Sequence, residues 1–254
     1  QLKPQFPTEE VTLPSKGLLY PEGSPLKKGV IEMKYMTARE EDILTNQNYI
    51  QNGTVIDKLL QSLIVTPCDY NEILVGDKNA IMVAARILGY GSDYEFKFFN
   101  PKTKESEEVK IDLTSIDDKE LDESLIKDGK NEFEFTLPAS KVLVTFKLLT
   151  HGDEKKIANE IKGLRKINKQ SNPEISTRMK HIILSVNGDY EKKTIRDFVD
   201  INLLARDARA LRKYIREIAP DTDLVFNFEG DGGYTEENVE IPIGANFFWP
   251  DAAI

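Results

Sequence analysis

The chain has few of the residues on which catalysis and cross-linking usually depend. Among its 254 residues there is one cysteine, Cys68, which excludes an internal disulfide and any cysteine-rich zinc site. Cys68 follows an apolar stretch and Pro67, so it reads as a half-buried structural thiol rather than a reactive one, and it fits a reducing cytosol. The two histidines, His151 and His181, fall in different elements with no Ser or Cys in a nucleophile setting, so a catalytic triad has no support. His181, beside Ile182 and Ile183, reads as a satisfied structural histidine. His151-Gly152-Asp153 reads as a helix start with Asp153 as its cap. No glycine-rich run links a strand to a helix with a lysine at phosphate-loop spacing; Gly89-Tyr90-Gly91 follows a helix and ends it. No apolar run approaches the roughly 18 residues of a membrane span, and Leu13–Tyr20 is too short and too polar for a signal peptide. Asn227, Glu229 and Asp231 alternate ahead of Gly232, but the last position of a calcium loop would be Asn238 and the flanks read as strands. No cofactor, no metal, no small-molecule substrate and no enzymatic activity are therefore expected.

The chain does have the material of a globular protein, 40% hydrophobic and 30% charged, and enough length to bury a core. Its net charge of −9 argues against a general nucleic-acid binder. The charge is polarised, however. Glu105 to Glu134 holds twelve acidic and four basic residues, and Lys155 to Arg216 sixteen basic and seven acidic. Such a chain can dock electrostatically with itself or with a partner, and an oligomer is one outcome.

The predicted fold class is α+β, in four stretches. Residues 1–29 form an extended arm, because Pro14, Gly17, Pro21, Gly23, Pro25 and Gly29 forbid helix. Residues 30–91 form a strand plus helices. Ile31, Met33 and Tyr35 alternate with Glu32 and Lys34, and Thr37–Glu40 is a capping box for a helix running to about Tyr49. After Asn52-Gly53 a second helix carries the stripe Ile56, Leu59, Leu60, Leu63 and Ile64. A third, with Asp77 as N-cap, spans Asn79–Leu88. Residues 92–150 form an antiparallel β module of four or more strands around 94–99, 109–113, 133–137 and 142–146, with an acidic loop from Asp117 to Asp128. Residues 151–254 form a helical part with helices near 153–168, 173–185 and 194–218, the last divisible at 202–206 with Asp207 as cap. A β-hairpin over 224–243 ends this part.

Two surfaces are candidates for binding. Arg206, Arg209, Lys213 and Arg216 recur at spacings of three or four and share one helix face, with Arg212 at its edge. This basic stripe suits an acidic segment, its own or a partner's; nucleic-acid phosphate is the second reading, although interleaved aromatics are missing. Phe247, Phe248 and Trp249 near the end either fold back onto the core or anchor another protein.

The order of short motifs then adds a resemblance. Leu13-Pro14-Ser15-Lys16-Gly17 precedes the helix start Met36–Glu41, followed by Gly76-Asp77-Lys78-Asn79-Ala80-Ile81, Arg86–Gly91, Ala205–Arg212 and a terminal Phe-Phe-Trp-Pro. This arrangement resembles the baseplate hub assembly proteins of T4-like, contractile-tailed bacteriophages, over most of the chain except 92–150. The resemblance implies a non-enzymatic assembly chaperone or minor structural component, with other phage tail and baseplate hub proteins as partners. It implies residence in the host cytoplasm during assembly, and in the virion for a structural component. Some members carry paired cysteines in the C-terminal hairpin; Glu229–Gly233 has none here, so zinc is not expected. On this reading Leu13, Leu18, Leu19 and Tyr20 of the arm, with Phe247, Phe248 and Trp249, contact the partner.

Overall fold

The computed structural model describes residues 8–169, 172–243 and 245–249. The chain enters as strand β1 (Glu9–Thr12), antiparallel to β2 (Val30–Met33) with Val11 opposite Ile31. Between them the punctuated lead-in makes successive tight turns. Gly17, at φ 76°, is required there: a β-carbon would lie 2.3 Å from the Lys27 carbonyl oxygen.

The capping box forms as expected. Glu40 accepts from the Thr37 N–H at 2.9 Å and hydroxyl at 2.7 Å, and helix α1 (Ala38–Leu44) follows. It stops short of Tyr49 because Asn46 caps a separate helix, α2 (Gln47–Gln51), its side chain accepting from the Asn48 and Tyr49 N–H groups. Gly53 breaks the chain again. Helix α3 (Val55–Leu63) then buries Val55, Leu59, Leu60 and Leu63, most of the predicted stripe, while Ile56 and Ile64 are only half-buried.

Helix α4 (Val75–Tyr90) is longer than the predicted Asn79–Leu88 and has Leu74, not Asp77, as its N-cap. Asp77 lies in the first turn, fully buried. A bridge pairs Leu74 with Thr150, so the start of α4 lies beside the start of the helix that follows Thr150.

The β module holds the four expected strands, but in two sheets. Strands β3 (Asp93–Asn100) and β4 (Glu105–Asp112) form a ribbon of their own. Strands β5 (Phe133–Thr136) and β6 (Leu143–Phe146) pair instead within a three-stranded sheet. After helix α5 (His151–Ile167), capped by Thr150 and Asp153 together, helix α6 (Glu174–Ile182) ends earlier than its predicted limit near Ser185. The chain straightens into β7 (Ile183–Val186), which takes the edge of β6. The β-branched Ile183 and Val186, and the turn residues Asn187 and Gly188, both of which are at positive φ, favour that extended ending over more helix.

Helix α7 (Lys192–Asp197) passes through one π turn, Phe198–Asn202, before α8 (Ala205–Ile218); of the two readings of this stretch, the divided one holds. The tail makes the ribbon β8 (Val225–Gly230) and β9 (Tyr234–Glu240), then the short helix α9 (Ala245–Phe248). The two ribbons meet through aromatic faces. Phe96 and Phe226 lie 5.1 Å apart edge to face, and Phe98 and Phe228 lie 4.6 Å apart. One contiguous hydrophobic cluster runs from Leu13 through α3, α4 and the three-stranded sheet to Phe248.

Candidate interaction surfaces

The arm is fastened to α4 by a buried polar lock. The Asp77 carboxylate accepts from the Ser15 N–H at 2.9 Å, the Ser15 hydroxyl at 2.6 Å and the Tyr20 hydroxyl at 2.7 Å. Tyr20 in turn accepts the Leu74 N–H at 3.0 Å, satisfying one of the free donors at the start of α4. Ser15 and Asp77 have no solvent exposure, and Tyr20 almost none. Burial raises the carboxyl of Asp77 above the usual carboxylate range against the pull of its three donors, and burial beside Asp77 raises the Tyr20 phenol well above its ordinary value. Two short motifs from opposite ends of the N-terminal third, Leu-Pro-Ser-Lys-Gly and Gly-Asp-Lys-Asn, are thus halves of one contact. Gly76 serves a different contact, with the segment after residue 218: a β-carbon there would lie 1.8 Å from the Pro220 carbonyl oxygen.

Asp207 repeats the arrangement. Like Asp77 it lies three residues past a leucine N-cap, Leu204, and is fully buried. It accepts from the backbone N–H groups of Ala139 at 2.8 Å and Ser140 at 2.9 Å. Burial works to raise its carboxyl, but these donors and the Arg206 charge hold it below the ordinary value. Expected as a cap for its own helix, Asp207 instead pins the β5–β6 turn onto α8. Both aspartates also gain from the positive end of a helix dipole.

The proposed contact side chains of the arm and tail lie largely inside. Leu13, Leu19, Tyr20, Phe247 and Phe248 are core residues of this chain, while Leu18 and Trp249 are half-buried. Phe247 meets Tyr94 edge to face at 5.1 Å, and the Trp249 Nε1–H donates to the Leu44 carbonyl at 3.2 Å. The apolar contact expected of Leu13, Leu19, Tyr20, Phe247 and Phe248 is therefore corrected: folding back buries these five at home, where their apolar area is already removed from water, and only Leu18 and Trp249 stay partly accessible.

Of the predicted contact residues, the basic stripe is the set that stays outside. On α8, Arg206, Arg209, Lys213 and Arg216 are exposed and Arg212 is half-buried, opposite a buried face of Asp207, Ala208 and Leu211. Lys213 pairs loosely with Glu217 at 3.7 Å, and Arg212 donates to the Ala208 carbonyl. None of the four arginines makes an ion pair with a described residue. The acidic loop does not cover them either: Glu123 pairs with Lys16 at 2.6 Å and Asp128 with Lys27, both in the arm, while Lys119 caps the end of α8 through the Arg216 carbonyl at 2.5 Å.

Groups able to do chemistry are tied to one another. Asp57 holds Lys78 at 2.6 Å and the Tyr70 hydroxyl at 2.8 Å, and Lys78 donates to His151 Nδ1 at 3.2 Å. Burial lowers the pKa of His151 and the Lys78 charge adds to that, against the opposing pull of the Asp57 carboxylate. This cluster joins α3, α4 and α5, and sequence reasoning missed it because its members are scattered. His181 is held by Glu160 at 2.8 Å. Cys68 is half-buried, with its thiol pKa raised by burial. Among the described residues no group of three His, Cys, Asp or Glu side chains is placed to hold a metal ion, and no helix is long and apolar enough to cross a membrane.

By class, then, this is an α+β protein fastened by buried carboxylate locks and bearing exposed faces of opposite charge. The family model described as T4 bacteriophage base plate protein matches residues 7–249, nearly the whole chain, and the chain belongs to that family. No curated protein and no solved structure gives a significant match. The match includes residues 92–150, the part that motif order alone left unaligned.

Proposed function

We propose that this chain is a non-enzymatic protein of the tail baseplate hub, an assembly chaperone or a minor structural component, that works by binding other tail proteins. The observation that carries the reading is the family match across 7–249; the tying-up of His151, Lys78 and Asp57 in one another agrees with a protein that does no chemistry. The chain acts in the host cytoplasm during assembly and contacts other hub proteins through a surface that includes the half-exposed Leu18 and Trp249. Mass spectrometry of purified phage particles and of isolated assembly intermediates tests this. Presence in intermediates and particles identifies a structural component, and presence in intermediates alone a chaperone. Absence from both overturns the proposal.

A further inference from the structure

The basic face of α8 has an acidic counterpart elsewhere on the same molecule. Between Asp221 and Glu240 the chain has seven carboxylates and no lysine or arginine. Glu229, Asp231, Glu236, Glu237 and Glu240 are exposed or half-exposed, and none forms an ion pair with a described residue. Register sorts the ribbon faces: Phe226 and Phe228 turn inward, whereas Glu229 and Glu240, which is paired with Val225, lie on the opposite face. The ribbon is also longer than the helix face it would receive. Arg206 to Arg216 covers about 15 Å of helix, and the seven residues of β9 cover about 23 Å of strand.

The two faces do not pair within one molecule: no ion pair joins them among the described residues, and the link between them is held in place. Pro220 is pressed against Gly76, the Asn79 amide donates to Asp221 at 2.9 Å, and the Thr222 hydroxyl donates to Asp118 at 3.1 Å. We propose that the α8 arginine face docks on the acidic β8–β9 ribbon of a second copy of this chain. One such contact neutralises both faces, whereas a foreign acidic partner would leave the ribbon bare. Nucleic acid fits less well: the net charge of −9 repels phosphate, and the aromatic of α8, Tyr214, is already stacked on Phe135 at 4.7 Å. Since the two faces differ, the association is head-to-tail, and it closes into a ring or extends as a filament. The inference goes beyond the baseplate reading and does not depend on it.

The test is sedimentation velocity on the isolated chain, with circular dichroism confirming that each variant folds. Wild type is expected to self-associate at about 0.1 M salt, and at least about tenfold more weakly at about 0.5 M. Arg206→Glu/Arg209→Glu/Arg216→Glu and Glu229→Lys/Glu237→Lys/Glu240→Lys should each be monomeric, and mixing the two should restore association, because each supplies the face the other has reversed. A wild type that stays monomeric at the lower salt overturns the proposal. So does association that survives either reversal, or a mixture that stays monomeric. Binding of generic duplex DNA by a monomeric wild type, lost in the arginine variant, overturns it in favour of nucleic acid.

Discussion

Removing the carboxylate of Asp77 should loosen the arm before it unfolds the rest. Asp77→Ala deletes the two oxygens that accept three hydrogen bonds and strands the buried Ser15 N–H. A buried donor left without a partner costs about 1–3 kcal/mol, and the two hydroxyl bonds add about 1 kcal/mol each. Relief from holding a buried carboxyl offsets part of this, so the expected loss is about 3 kcal/mol. Asp77→Asn keeps an oxygen for the Ser15 N–H and presents an amide to two hydroxyl oxygens that still have accepting capacity; about 1 kcal/mol is expected. Burial already biases Asp77 toward its neutral form, which further favours the neutral isostere. Urea midpoints measure the global effect. Trypsin reads the local one at Lys16, an exposed residue in an otherwise buried segment. If cleavage proceeds through local opening, an opening easier by about 1–3 kcal/mol speeds it roughly 5- to 150-fold. An alanine variant that loses under about 1 kcal/mol, or an asparagine variant less stable than the alanine one, would refute the lock.

Three further outcomes follow from the same geometry. Gly76→Ala forces the Pro220 carbonyl away and should cost about 1–3 kcal/mol or more, read as a lowered thermal midpoint; an unchanged midpoint would mean that no close approach exists. Glu40 has its carboxyl held at about 2: burial works to raise it, but Lys34, Thr37 and Ser62 outweigh that. A depressed carboxyl stabilises the fold above its unfolded pKa, so stability should fall as pH drops from about 4.5 toward about 2, by on the order of 2 kcal/mol after allowance for screening; Glu40→Gln should flatten that part of the urea-midpoint profile. Phe247→Ala empties a fully buried site against Tyr94 and should cost about 3–5 kcal/mol, whereas a loss near zero in chemical denaturation would return the tail to the role of a free anchor.

Sequence alone determined what is governed by neighbours three or four residues apart. The Thr37–Glu40 box, the glycine break at Gly53, the apolar stripe of α3 and the alternation of Ile31 and Met33 in β2 need only helical or strand periodicity, and each stands in the structure. Charge polarity was legible for the same reason, since it is composition along a segment. Tertiary structure alone decided the partners of groups far apart in the chain. Asp77 and Asp207 look like helix caps locally, yet their carboxylates serve N–H groups 62 and 68 residues away. Ile183–Val186 looks like the end of a helix until β6 offers a free edge. The terminal aromatics have equal claims to core and partner until Tyr94 and the Leu44 carbonyl are in place. A buried polar or apolar group takes whatever complementary surface folding brings to it, and which surface arrives depends on the whole chain.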